Sequence, residues 1–131
     1  MNTRILEFFI PGKIRRQSNG PQRNFYAHAR YRKAWRTRAQ VIAMATIRQQ
    51  HLDILPDAPK TIRLRARVFN LFDDDGLAAA LKPCLDGIRD SGLIHSDAPF
   101  EKSGHRILRS QRIDRQHEGV EILVDVGVDN V

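Results

Sequence analysis

Residues 4–10, RILEFFI, are a short apolar run broken only by Glu7 and stopped by Pro11-Gly12. That pattern predicts a buried first strand ending in a turn. The next stretch, KIRRQSNGPQRN, has no periodicity and is predicted to be a basic loop. Over residues 29–50 Tyr31, Trp35, Ala39, Ile42, Ala43 and Thr46 recur three and four apart, which predicts a helix with one core-facing stripe. A proline-containing connector over 52–60 precedes TIRLRARVFNL, residues 61–71. Here Ile62, Leu64, Ala66 and Val68 alternate with Arg63, Arg65 and Arg67, the signature of a strand with one buried face.

A second helix is expected from near Leu77, burying Leu77, Leu81, Cys84 and Ile88, kinked at Pro83 and ended by Ser91-Gly92. The last two apolar segments are HRILRSQRID and GVEILVDVGV, the latter with Val120, Ile122, Val124 and Val126 pointing inward. With Gly119 near the turn they are expected to pair as a hairpin. The predicted order is β-α-β-α-β-β, an α+β fold in which two main helices pack on a small mixed sheet. A chain of 131 residues suits one domain spanning 1–131.

Charge changes the picture more than composition does. Hydrophobic residues make up 41% of the chain, enough for one core. Lys and Arg number 22 against 15 Asp and Glu, giving a formal net charge of +7. Such an excess, mostly arginine, favours a polyanionic partner, nucleic acid first. Lys13, Arg15, Arg16 and Arg23 are spread along the basic loop, and Arg30, Arg32, Lys33 and Arg36 occupy the start of the first helix. Cations there oppose the helix dipole, which an anionic partner would explain. The single cysteine, Cys84, excludes an internal disulfide and a cysteine-rich zinc site, and fits a reducing cytoplasm. The N-terminal apolar run is too short for a membrane span or a signal peptide.

Against that basic background, Asp73, Asp74 and Asp75 stand together before the second helix, followed by Lys82, Asp86 and Asp97. If the extended backbone continues through them, Asp73 and Asp75 project to one side and repel unless a cation lies between. A hard divalent ion, Mg²⁺ or Mn²⁺, suits such oxygen ligands. Asp74 or Asp75 is expected to cap the helix. Lys82 and Asp86 share a helical face, and His95 lies two residues before Asp97.

The run Asp73-Asp74-Asp75-Gly76-Leu77, with Leu81-Lys82-Pro83, Leu85-Asp86-Gly87-Ile88, Gly92-Leu93-Ile94 and Asp97, resembles the RusA family of Holliday junction resolvases. Upstream, Pro11-Gly12-Lys13, Asn24, His28, Arg30, Lys33 and Trp35 look similar to that family's DNA-contacting entry. The resemblance implies a Mg²⁺-dependent (Mn²⁺ also suits) endodeoxyribonuclease, acting as a homodimer on four-way DNA junctions in recombination and repair. It implies a bacterial or prophage-encoded protein of the cytoplasm. Asp73, Asp75, Lys82 and Asp97 would be catalytic, and Asp73, Asp75 and Asp97 would hold the metal with Asp74 and Asp86 behind them. The three ligand carboxylates are then expected within about 5 Å of one another. One position departs from the family pattern, which has Asn where this chain has Gly76.

The chief alternative is a DNA-binding protein of the same fold that does not cleave. A metal-dependent transferase holding a nucleotide diphosphate on Asp-x-Asp fits less well, since one short domain leaves little room for donor and acceptor pockets.

Overall fold

A computed structural model describes the backbone of residues 2–16 and 25–128, and side chains over 5–16 and 27–125. The elements are β1 (Asn2–Pro11), α1 (Phe25–Gln49), β2 (Lys60–Val68), α2 (Asp74–Asp90), α3 (Phe100–Ser103), β3 (Arg106–Ile113) and β4 (Gly119–Val128). The fold is α+β, with the β-α-β-α-β-β order of the main elements interrupted only by the single turn of α3.

The alternation holds over β2, but the strand ends at Val68 rather than continuing to residue 71, where Phe69 and Leu71 are exposed and leave the sheet. Ile62, Leu64, Ala66 and Val68 are buried, while Arg63, Arg65 and Arg67 lie on the opposite face. Leu6, Phe8 and Ile10 of β1 and Val120, Ile122 and Val124 of β4 complete the apolar face of the sheet. Each such side chain contributes about 1.5–3 kcal/mol on burial. Trp35, Ala39 and Ala43 of α1, with Leu77, Leu81, Cys84, Leu85 and Ile88 of α2, share the same core. The arginine row on the open face is relieved from within. Arg67 donates to Glu121 at 3.3 Å and lies over the Phe9 ring, and Arg65 stands opposite Glu121 in the register.

The strand order is β1-β4-β2-β3, so the expected hairpin between the last two strands does not form. β4 runs antiparallel between β1 and β2, and β3 pairs parallel with β2. The reason lies in side-chain character. β4 buries Val120, Ile122 and Val124 completely and needs neighbours on both sides, whereas β3 is exposed along most of its length and suits an edge. The β2-α2-β3 crossover supplies the parallel pairing that a short connection cannot.

Both helix starts differ from the expectation. α1 begins at Phe25 rather than 29, and α2 at Asp74 rather than near Leu77. Asp73 is the N-cap of α2, its Oδ1 accepting from the Gly76 N–H at 2.9 Å. Pro83 is therefore an interior residue of α2, buried with no N–H to give. The Tyr31 hydroxyl donates to the neighbouring Ala80 carbonyl at 3.0 Å, tying α1 to α2 beside the proline. Gly92, at φ 88°, takes the left-handed position just past the helix.

Candidate active site

α2 is amphipathic, and its solvent face carries the charged residues Lys82, Asp86 and Arg89. Lys82 and Asp86, one turn apart, meet at 3.0 Å. Asp97, fifteen residues beyond Lys82, returns to the same place: Lys82 Nζ donates to its Oδ2. Arg89 donates from Nη1 to Asp97 Oδ1 at 3.4 Å and lies 3.8 Å from Asp86. Asp90 next to it takes a two-pronged bond from Arg36 of α1, at 2.5 and 3.1 Å. The turn at Gly92 and the burial of Leu93 and Ile94 fold the loop back so that Asp97 faces the helix.

This arrangement sets the charge states. Burial pushes the Asp97 carboxyl up, but the hydrogen bond and charge of Lys82, with Arg89, hold it below the ordinary value. Burial likewise pushes Lys82 down, and the bonds to Asp97 and Asp86 outweigh it, so its pKa is raised. The ammonium is therefore charged throughout the physiological range. A carboxyl lowered on folding contributes stability above its unfolded pKa, about 3.9, and loses it as pH falls through the folded value. Asp97→Asn is accordingly expected to flatten the acid limb of stability below about pH 4, read as the urea midpoint against pH. Identical acid limbs in variant and wild type would show that the pair contributes nothing.

Asp73 and Asp75 do not project together as extended neighbours, because the helix begins between them. Asp73 keeps an extended backbone and spends Oδ1 on the cap, while Asp75 is exposed in the first helical turn with Asp74. Among the described residues, no three His, Cys, Asp or Glu side chains are grouped to hold a metal ion. The expected cluster of Asp73, Asp75 and Asp97 is thus not assembled in this conformation. Asp97 is turned to Lys82 and Arg89 instead. Gly76 fits the same picture, since a Cβ there would collide with Asp73 Oδ1. An Asn at this point, as in the family pattern, would require the Asp73 carboxylate to shift by a small side-chain rotation.

Asp73 therefore has a structural task separable from any chemical one. Asp73→Ala is expected to cost about 1 kcal/mol through the lost cap, whereas Asp73→Asn keeps a capping oxygen and should cost much less. Thermal melts of both variants measure the difference.

Lys13, Arg15 and Arg16 lie exposed, and Arg15 and Arg16 share a cleft wall with residues 69–72 beside the entry to α2. The Lys13 carbonyl accepts from Trp35 Nε1 at 3.1 Å, and Arg15 donates its backbone N–H to Tyr31 and pairs with Glu118 at 3.4 Å. Arg30, Arg32 and Lys33 are exposed on α1, whose first turn holds no acidic residue. Arg36 is engaged with Asp90. Arg23 and Asn24 fall outside the described residues.

Periodicity did not single out Arg89, although its i,i+3 spacing from Asp86 carries that signal. It also missed His105, buried in the core with Nε2 3.1 Å from His95 Nδ1. His95 is turned to His105 and the Pro56 carbonyl, not to the carboxylates. Burial, then Lys60 and His95, hold the His105 pKa below its ordinary value.

No helix among the described residues is long and apolar enough to cross a membrane. No family model matches the chain, and no curated protein is similar enough to count as a relative.

Proposed function

We propose that the chain is a RusA-like, structure-selective endodeoxyribonuclease that nicks four-way DNA junctions in the cytoplasm, as a homodimer with Mg²⁺ or Mn²⁺. The observation that carries this reading is the meeting of Lys82, Asp86 and Asp97, residues read from the sequence as one motif and separated by up to fifteen positions. A solvated helix face would pair Lys82 with Asp86 alone. Bringing Asp97 onto the same ammonium makes a charged centre out of three separate pieces.

Lys82 offsets charge that grows on the scissile phosphate, and its side chain is 52% exposed, open to a strand lying across α2. Lys13, Arg15, Arg16, Arg30, Arg32 and Lys33 hold the backbone around it without reading sequence. Bound Mg²⁺ supplies polarisation of the phosphate and a more acidic water. The all-carboxylate donor set suits that hard ion in kind and not in placement. Asp73, Asp75 and Asp97 would hold the ion, with Asp97 then sharing or exchanging its bonds to Lys82 and Arg89. Two symmetric sites in a dimer suit paired nicks across a symmetric junction.

Competition tests the substrate class. With a labelled four-way junction bound, unlabelled junction should displace it at far lower concentration than linear duplex of the same length. If duplex competes equally, the resolvase reading falls even where nicking is seen. The second reading, a DNA-binding protein that does not cleave, is favoured by one observation: the capping role of Asp73 beside Gly76.

A further inference from the structure

The segment leading into α2 carries apolar side chains that the core does not use. Phe69 is 47% exposed and Leu71 60% exposed, although both lie between fully buried Val68 and the capping Asp73. With Ile14 and Phe72 they line a cleft of about 430 Å³ whose remaining wall is Arg15, Arg16 and Asn70.

This wall is held in place. Arg115 lies over the Phe69 ring at 4.9 Å, donates from Nε to the Phe69 carbonyl at 3.0 Å and reaches Asn70 Oδ1 at 3.4 Å. Gln111 of β3 holds Phe72 by both backbone groups, at 2.9 and 2.7 Å. The result is a fixed apolar shelf rimmed by guanidinium groups, ending one residue before the acidic cluster.

Charge selects the occupant. A second copy of this chain, at +7, would bring further cations towards Arg15, Arg16 and Arg115. A nucleic-acid strand brings flat apolar bases on an anionic backbone, the complement of an aromatic shelf with a cationic rim. We propose that this cleft takes an unstacked base of the bound DNA strand. Phe69 and Leu71 lie against the base, and Arg15 and Arg16 contact its flanking phosphates. The proposal rests on the nucleic-acid reading above and adds a source of structure selectivity. A base already unpaired at a branch enters at little cost, and a base in intact duplex must first be extracted.

The test uses the full chain with 2-aminopurine as the probe base, placed at the branch point of a synthetic junction and, separately, in a short single-stranded oligonucleotide. The wild type is expected to change the probe's fluorescence in both. Phe69→Ala is expected to weaken single-strand binding about tenfold and to reduce the fluorescence change at the branch, with duplex affinity little altered. Leu71→Ala should act in the same direction. Both side chains are exposed, so equal melting temperatures check that the fold is intact, and either variant alone suffices. Unchanged affinity and fluorescence in the variants overturns the proposal while leaving nucleic-acid binding standing. A variant that alters oligomeric state but not the probe signal assigns the cleft to a second copy and also overturns it. Failure of the wild type to bind either DNA removes the nucleic-acid reading, and this proposal with it.

Discussion

Lys82→Ala is expected to lower the single-turnover rate of junction nicking on the order of 10²–10³-fold, with junction affinity reduced only slightly. The ammonium lies between Asp86 and Asp97, and their bonds keep its pKa raised, so it is cationic at physiological pH. Its removal takes away the one positive charge centred between those two carboxylates, leaving Arg89 to serve both. Half-exposed ion pairs of this kind contribute about 0–1 kcal/mol, so the variant should fold and melt close to wild type. That separation makes the experiment clean. A large loss of rate with a normal melt locates the effect in the chemistry. An unchanged rate would reduce the Lys82–Asp86–Asp97 centre to a surface ion pair.

Gly87→Ala is expected to destabilise the fold. A Cβ at Gly87 would collide with the Arg36 carbonyl and stand 2.7 Å from Ala39 Cβ and 3.0 Å from the Gln40 nitrogen. Two of these three are backbone atoms of α1, which cannot swing aside as a side-chain tip can. Overpacking of this kind costs about 1–3 kcal/mol and sometimes more. It opposes the gain of about 1 kcal/mol that alanine gives over glycine inside a helix. The net loss should appear as a lower urea midpoint with unchanged slope. A rise in stability would mean that α1 and α2 do not approach as closely as described. Because Tyr31–Ala80 and Arg36–Asp90 bridge the same pair of helices, the variant should also loosen the support beneath Lys82.

Local periodicity was sufficient for the buried faces of β1, α1 and β2, where burial follows the recurring apolar positions, but not for the start of α1 or the end of β2. It failed where the answer depended on partners elsewhere in the chain. Alternation in β4 told that Val120, Ile122 and Val124 turn inward (the side chain of Val126 lies outside the described residues) but not that the strand sits between β1 and β2. Only comparison of its buried Val120, Ile122 and Val124 with the exposed β3 settles that. The start of α2 was misplaced because Asp73, Asp74 and Asp75 are equally good caps in sequence. The fold uses the first of them, which turns Asp75 into a helical residue.

The site divides in the same way. Lys82 and Asp86 were legible because helix geometry alone makes them neighbours. Asp97 was singled out as a further carboxylate past the helix, but its contact with Lys82 depends on how Leu93 and Ile94 anchor the loop in the core, which spacing does not show. The Arg36–Asp90 bridge was not singled out, since pairing across two helices leaves no periodic mark, whereas Arg89 was missed although it stands three residues from Asp86 on the same helix. The grouping of Asp73, Asp75 and Asp97 was an expectation of ligand chemistry, and the cap at Asp73 and the cations at Asp97 compete with it.

The most direct measurement is nicking of a synthetic four-way junction as Mg²⁺ is titrated, with the wild type beside Asp75→Asn. Wild type should bind without added metal and nick only when Mg²⁺ or Mn²⁺ is present, while Asp75→Asn binds equally and does not nick. If both bind and neither nicks at any metal concentration, the chain is a DNA-binding protein and the nuclease account is wrong.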